Sequence, residues 1–347
     1  MDDHSGAYPA IGPATGPSLG PAMGPAIGIV GAGAWGCALA QVAAGGGPVR
    51  LWARDPATSA AIVATGSAPR LPGIALDPAI RPTANLDALA ECDALVIAVP
   101  VAATAAVLAH LARWSPRPLV LAAKGLGPGG VSLAAVATAA LPWPIALLSG
   151  PTFATEVARG LPAAATLACA DPVIATALAA RLSRPAFRLY TSGDVVGAGL
   201  GGAVKNVLAI AAGVVAGARL GDNARAAIIT RGFAEMRRFG AAMGADPATL
   251  TGLSGLGDLV LTCTGPASRN FALGVALGEG NDATTALAAS RGVAEGAATA
   301  PILVHAAAVR GIDLPIAAAV ADLIAGRVVV DAVIARLLDR PRRAEQA

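Results

Sequence analysis

The chain has 347 residues, 55 % of them hydrophobic, 14 % charged and 3 % aromatic, with a formal net charge of +3. Its length allows two domains of about 150 residues, and a chain this apolar buries a large core, which excludes disorder throughout. Scattered charge with no basic run among aromatics argues against a nucleic-acid partner, and the charge-free stretch from Gly125 to Thr155 is interrupted by Pro128, Pro142, Pro144 and Pro151, which argues against a membrane span.

Residues 1–25 repeat Gly, Pro, Ala and Ser without hydrophobic periodicity, and carry Asp2 and Asp3 where a secretory signal needs Lys or Arg. They read as a disordered extension. Ile27–Val30 reads as a buried strand running straight into glycines, and Trp35–Ala44 as a helix. Strands are expected at Val49–Ala53, Ala94–Val99, Leu119–Ala122 and Ile145–Leu148, with helices at Val101–Arg113 and Val131–Leu141 between them. This alternation predicts an α/β Rossmann domain, a doubly wound and mostly parallel sheet, over 26–192. Phe187–Tyr190 is a strand near its boundary. Over 193–340 strand signal fades, and helical spacing such as Ile228, Phe233, Met236 and Phe239 predicts an all-α domain, followed by a tail at 341–347. Cys37, Cys92, Cys169 and Cys263 lie far apart with no metal-type spacing, which fits reduced thiols in a cytoplasmic protein. His4, His110 and His305 have no ligand spacing either, so no metal is expected.

Five constellations carry chemistry. Gly31, Gly33 and Gly36, with Ala34 and Trp35 among them, form a G-x-G-x-x-G turn between the first strand and helix, suited to a pyrophosphate on the helix N-terminus. At the end of the second strand Arg54 suits a 2′-phosphate, while Asp55 suits either a ribose hydroxyl or the cap of a helix starting at Pro56, so NADP and NAD both remain open. Lys124 and Lys205 are the two lysines among 25 basic residues. Arginine does not deprotonate, so a proton-transfer role needs one of these. Lys124 follows a strand and precedes glycines. Lys205 sits in a predicted helix without other charge from Val195 to Ala218; it either snorkels to solvent or is buried with a lowered pKa fit for proton transfer. Gly150 and Thr152 follow another strand. Finally, Asp258 is flanked by apolar residues and either caps a helix or partners Lys205, and Ser268, Arg269 and Asn270 suit a phosphate monoester.

In their order, GAGAWG, AAKGLG, SGPTFATEVA, GGAVKNVLAI, SGLGDLVLTCT, SRN and GVAEG resemble the bacterial type of NAD(P)-dependent glycerol-3-phosphate dehydrogenase, from about Ile27 to Leu338. The resemblance implies an N-terminal Rossmann domain and a C-terminal helical domain that interconvert dihydroxyacetone phosphate and sn-glycerol 3-phosphate for phospholipid synthesis. It implies Lys205 as proton donor and acceptor. Ala34, Trp35, Arg54, Ala154, Val293 and Glu295 match cofactor-contacting positions, and Lys124 a position touching cofactor and substrate. Gly150, Thr152, Asp258, Ser268, Arg269 and Asn270 match the substrate site, Arg269 also lying near the cofactor. Ala34 replaces a serine frequent in the glycine loop, and the extension has no counterpart. The rival readings are another two-domain NADP dehydrogenase, of ketopantoate or 6-phosphogluconate type, and a non-catalytic dinucleotide sensor. The partner expected is a small triose phosphate, with no nucleic acid and no membrane. The apolar helical surface suits a homodimer.

Overall fold

Four apolar residues followed by Gly31 give strand β1, Ile27–Val30, no room to continue, and the computed structural model turns there into α1, Ala34–Ala44. The structure describes residues 26–290 and 292–338; the expected extension at 1–25 and the tail at 341–347 lie outside them. The chain continues through β2 Val49–Trp52, α2 Pro56–Thr65, β3 Ile80–Thr83, β4 Ala94–Ile97, α3 Val101–Leu111, β5 Leu119–Leu121, α4 Leu133–Ala140, β6 Ile145–Ser149, α5 Ala154–Ala158, β7 Ala163–Cys169, α6 Pro172–Leu182 and β8 Phe187–Ser192.

These strands form one sheet in the order β3-β2-β1-β4-β5-β6-β7-β8. Every neighbour runs parallel except β6 and β7, which pair antiparallel with Ala146 opposite Cys169. One face packs under α1 through Leu39 and Val42, the other under α3 and α4 through Leu108 and Ala137. β1, β4 and β6 are therefore buried on both faces, which is why they read as continuous apolar runs. The connections diverge between β1 and β4, and the crevice at the carboxyl ends of those strands is where such sheets take ligands. The helix expected from Val131 starts two residues later, because the Ser132 hydroxyl accepts the Ala135 amide at 3.2 Å and takes the capping position.

Beyond β8 the described chain is helical: α7 Val195–Gly217, α8 Asp222–Ala242, α9 Pro247–Thr251, α10 Asp258–Cys263, α11 Arg269–Gly278, α12 Ala283–Ala289, α13 Glu295–Val309, α14 Pro315–Ile324 and α15 Val330–Leu338. A π-helical turn, Leu253–Gly257, leads into α10. α7 is long and apolar enough to cross a membrane, yet 83 % of its apolar window is buried inside the protein, so it serves as the core helix of this half. It lies against α11 with main chains touching. A Cβ on Gly213 would collide with the Phe271 carbonyl, and one on Gly274 with the Ile210 carbonyl.

Glu235 on α8 is buried, and its carboxylate accepts the Ile316 and Ala317 amides at 2.7 and 3.1 Å, capping α14 from a neighbouring helix. Burial pushes this carboxyl up to about 7, against the two amides and Arg238, with Asp313 adding to the rise. The folded chain thus holds a proton that the unfolded chain releases near its ordinary 4.5, and stability falls as pH rises from there through 7. Glu235→Gln keeps an acceptor and loses the buried charge, so thermal midpoints across this window should decline in the parent and stay level in the variant. Glu235→Ala should cost about 1–3 kcal/mol per orphaned amide.

Candidate active site

A cleft of about 1600 Å³ opens at the carboxyl ends of β1, β4 and β5 and is closed on its far side by α7, α10 and α11. Its walls include Gly31, Gly33, Ala34, Trp35, Arg54, Ala154, Val293 and Glu295, together with Lys124, Thr152, Lys205, Asp258, Ser268, Arg269 and Asn270. Residues from most of the chain's length meet there. Gly36 and Gly150 are not on the wall and act from behind it. A Cβ on Gly36 would run into the Gly31 carbonyl, so this glycine lets α1 pack on the turn. The Gly150 carbonyl accepts the Lys124 ammonium at 2.8 Å and the Thr152 hydroxyl at 3.1 Å.

The glycine turn fits a dinucleotide. Gly31 sits at φ +117°, where any Cβ would press within 3.1 Å of the Ala98 carbonyl oxygen, whereas Gly33 faces open space. Gly33 caps α1 without a side-chain acceptor, leaving the amides of the first turn to an anion. The Trp35 indole nitrogen is buried with no hydrogen-bond partner among the described residues. Arg54 is exposed at the rim. Asp55 takes the capping role of its two possibilities: it accepts the Ala57 amide at 3.0 Å and the Thr58 hydroxyl at 2.9 Å. These bonds, Thr58 first, hold its carboxyl below the usual range.

At the other end two ammonium groups share one carboxylate. Lys205 Nζ donates to Asp258 Oδ1 at 2.6 Å, and Lys124 Nζ donates to Asp258 Oδ2 at 2.7 Å. Lys205 Nζ also donates to Thr262 Oγ1 at 2.7 Å, one turn on from Asp258 along α10. The Asp258 side chain is 1 % exposed, and those of Lys205 and Lys124 are 7 % and 14 % exposed. Burial pushes Lys205 down to about 8; Asp258 opposes the fall and the neighbouring Lys124 charge adds to it. An ammonium has three protons, two of which are engaged, so one remains for a ligand in the cleft.

Two polar links join the two halves around this pair, through Asn206 and through Glu295, and Asn270 braces them from within the helical half. Asn206, next to Lys205, donates to the Lys124 carbonyl at 3.1 Å. Asn270 donates to Asn206 Oδ1 at 3.0 Å and accepts the Gly296 amide at 3.0 Å. Glu295 Oε1 accepts the Val101 amide at the start of α3 at 3.3 Å, and burial raises its carboxyl. Ser268 caps α11 by accepting the Phe271 amide at 3.2 Å, which places Arg269 and Asn270 in that helix's first turn. Sequence reasoning assigned no role to Thr262 or Asn206. The available signal was their spacing, four residues after Asp258 and one after Lys205.

Two family models match the chain: the NAD-dependent glycerol-3-phosphate dehydrogenase N-terminus over residues 26–175 and its C-terminus over 194–335. A glycerol-3-phosphate dehydrogenase [NAD(P)+] of Sphingopyxis alaskensis is 54 % identical over 322 residues, covering 92 % of this chain and 97 % of that protein. One of Caulobacter vibrioides is 52 % identical, covering 92 % and 98 %. Among solved structures, a glycerol-3-phosphate dehydrogenase from Coxiella burnetii superposes with TM-score 0.88 at 38 % identity, over 91 % of this chain and 99 % of that one. A ketopantoate reductase from Ralstonia eutropha, at TM-score 0.57 and 17 % identity over 89 % and 99 %, shares the fold alone.

Proposed function

For a chain that belongs to the NAD-dependent glycerol-3-phosphate dehydrogenase family, we propose a division of labour between the two ends of the cleft. The chain is an NAD(P)-dependent oxidoreductase that interconverts dihydroxyacetone phosphate and glycerol 3-phosphate. The sheet unit at 26–192 would hold the dinucleotide, and the helical unit at 193–340 would carry the substrate and the proton; residues 339 and 340 lie outside the described ones. When bound there, a nicotinamide would supply the hydride chemistry at C2 of the substrate.

The observation that carries this reading is Lys205, buried on an uncharged helix, bonded to Asp258 and open to the same cleft as the glycine turn. In reduction, the Lys205 ammonium donates a proton to the C2 oxygen as negative charge develops there; in oxidation, the neutral amine accepts it. Lys124 adds a second positive charge to the same region, fixed by Asp258 and the Gly150 carbonyl before substrate arrives. Arg269 and Asn270, in the first turn of α11, would hold the phosphate and so orient the carbonyl. The glycerol phosphate formed would supply glycerophospholipid synthesis. A cytoplasmic location agrees with four free, buried cysteines. The triose phosphate is the partner this site suits, and a homodimer is the assembly we expect.

The test is initial-rate kinetics with dihydroxyacetone phosphate and each reduced cofactor across pH. Reduction requires the protonated amine, so its kcat/KM should fall as pH rises through about 8; oxidation of glycerol 3-phosphate should instead fall as pH drops below that value. Absence of turnover with either cofactor would overturn the reading. Profiles lacking opposite slopes would remove Lys205 from the proton step.

A further inference from the structure

The hydrogen bonds around Lys205 have a direction. Nζ donates to Asp258 Oδ1 at 2.6 Å and to Thr262 Oγ1 at 2.7 Å. A carboxylate only accepts, and the single Thr262 hydroxyl proton goes to the Asp258 main-chain carbonyl. Neither partner can therefore donate to the nitrogen. When Lys205 loses a proton, its two remaining N–H groups keep these bonds. The lone pair then takes the third position, the one left open to the cleft. Burial lowers this amine to about 8, so at that pH about half of it is neutral, roughly 100-fold more than for an ordinary lysine. Burial beside a second cation, here Lys124, is what makes a lysine nucleophilic.

We propose that, with no dinucleotide bound, Lys205 forms a reversible imine with C2 of dihydroxyacetone phosphate, a covalent side activity of this site. It rests on the dehydrogenase reading above, which brings a ketone carbon to this nitrogen. The Nζ lone pair forms a bond to C2, the C=O pair moves onto oxygen, and a proton passes from nitrogen to that oxygen, giving a carbinolamine. A second proton turns the hydroxyl into water. The C–O bond breaks, and nitrogen supplies the pair that makes C=N. One amine, one ketone and one proton thus give one iminium and one water. Lys124 can supply the proton: it commits two of its three to Asp258 Oδ2 and the Gly150 carbonyl, at 2.7 and 2.8 Å, and keeps one. The iminium retains one N–H and a positive charge, so Asp258 compensates it as it does the ammonium. Imine formation and hydride chemistry compete for the same carbon, so the imine belongs to the cofactor-free chain.

The experiment incubates the full chain, free of cofactor, at pH 8 with dihydroxyacetone phosphate and sodium cyanoborohydride, which reduces an iminium to a stable secondary amine. Intact mass counts the adduct and peptide mapping places it; Lys124 and Lys205 are the two lysines of the chain. One adduct per chain is expected, on Lys205, with activity lost in step. Glycerol 3-phosphate fills the same site and has no carbonyl, so at about ten times its Kd it should slow labelling about 10-fold. Lys205→Arg should take up no label at the site. A chain that turns over dihydroxyacetone phosphate with cofactor, yet gains no adduct on Lys205, overturns the imine and leaves the dehydrogenase reading intact. An adduct on Lys124 instead, or labelling indifferent to glycerol 3-phosphate, also overturns it. Neither turnover nor adduct would refute both, whereas an adduct on Lys205 without turnover would uphold the imine and refute the dehydrogenase reading.

Discussion

Replacing Lys205 by alanine is expected to lower kcat about 10²- to 10⁴-fold, the span a positioned general acid contributes. The reduced cofactor should still bind, because the glycine turn lies at the opposite end of the cleft; titration of cofactor fluorescence checks this. Lys205→Arg is the sharper variant. It keeps a positive charge beside Asp258, yet a guanidinium does not release its proton in a protein. If Lys205 served only to attract the substrate phosphate, the arginine variant would keep most of its rate. If it moves the proton, the arginine variant should fail nearly as badly as alanine, and its residual activity should lose the inflection near pH 8. An arginine variant with parental kcat would refute the acid–base role.

Asp258→Asn should show the second-largest effect, in stability and chemistry together. The aspartate separates two ammonium groups, bonded at 2.6 and 2.7 Å, in a place where its own side chain is 1 % exposed. Removing one partner of such a buried cluster typically costs about 3–5 kcal/mol, since the remaining charges lose compensation and keep their desolvation penalty. The carboxylate is also what holds Lys205 from falling further under burial and the Lys124 charge. Without it the amine should lose its proton at lower pH, and the alkaline limb of reduction should move to the acid side. Denaturant unfolding measures the first effect and the pH–rate profile the second. A variant with unchanged midpoint and unchanged profile would show that the carboxylate does not govern the amine.

The parts legible in the sequence are those where local and global demands coincide. β1 could be read because a strand buried on both faces must be apolar throughout, and the turn after it must be glycine. Lys205 stood out because a lone cation on an otherwise uncharged helix has few ways to exist. β7 was invisible for the opposite reason. Its residues, Ala163–Cys169, are mostly alanine, a helix former, and pairing with β6 and β8 overrides that preference. The antiparallel step at β6–β7 left no mark either, because α5 lies between the two strands and the alternation there reads as one more parallel crossover. Thr262 and Asn206 lay inside motifs already singled out, but their hydrogen bonds depend on how α7 and α10 approach, which no linear pattern records.

The contact of α7 with α11 sets the scale of the site. Lys205 belongs to one of these helices and Arg269 to the other, and glycine lets their main chains meet without intervening side chains. Protein interiors resist compression at such contacts. The spacing of the two backbones is thus gauged by peptide groups, which have no rotamers to adjust, while Asp258 and Thr262 hold the Lys205 nitrogen itself in place. A ketone one carbon longer or shorter would meet a ruler without slack, so its carbonyl would overshoot or fall short while its phosphate stayed seated.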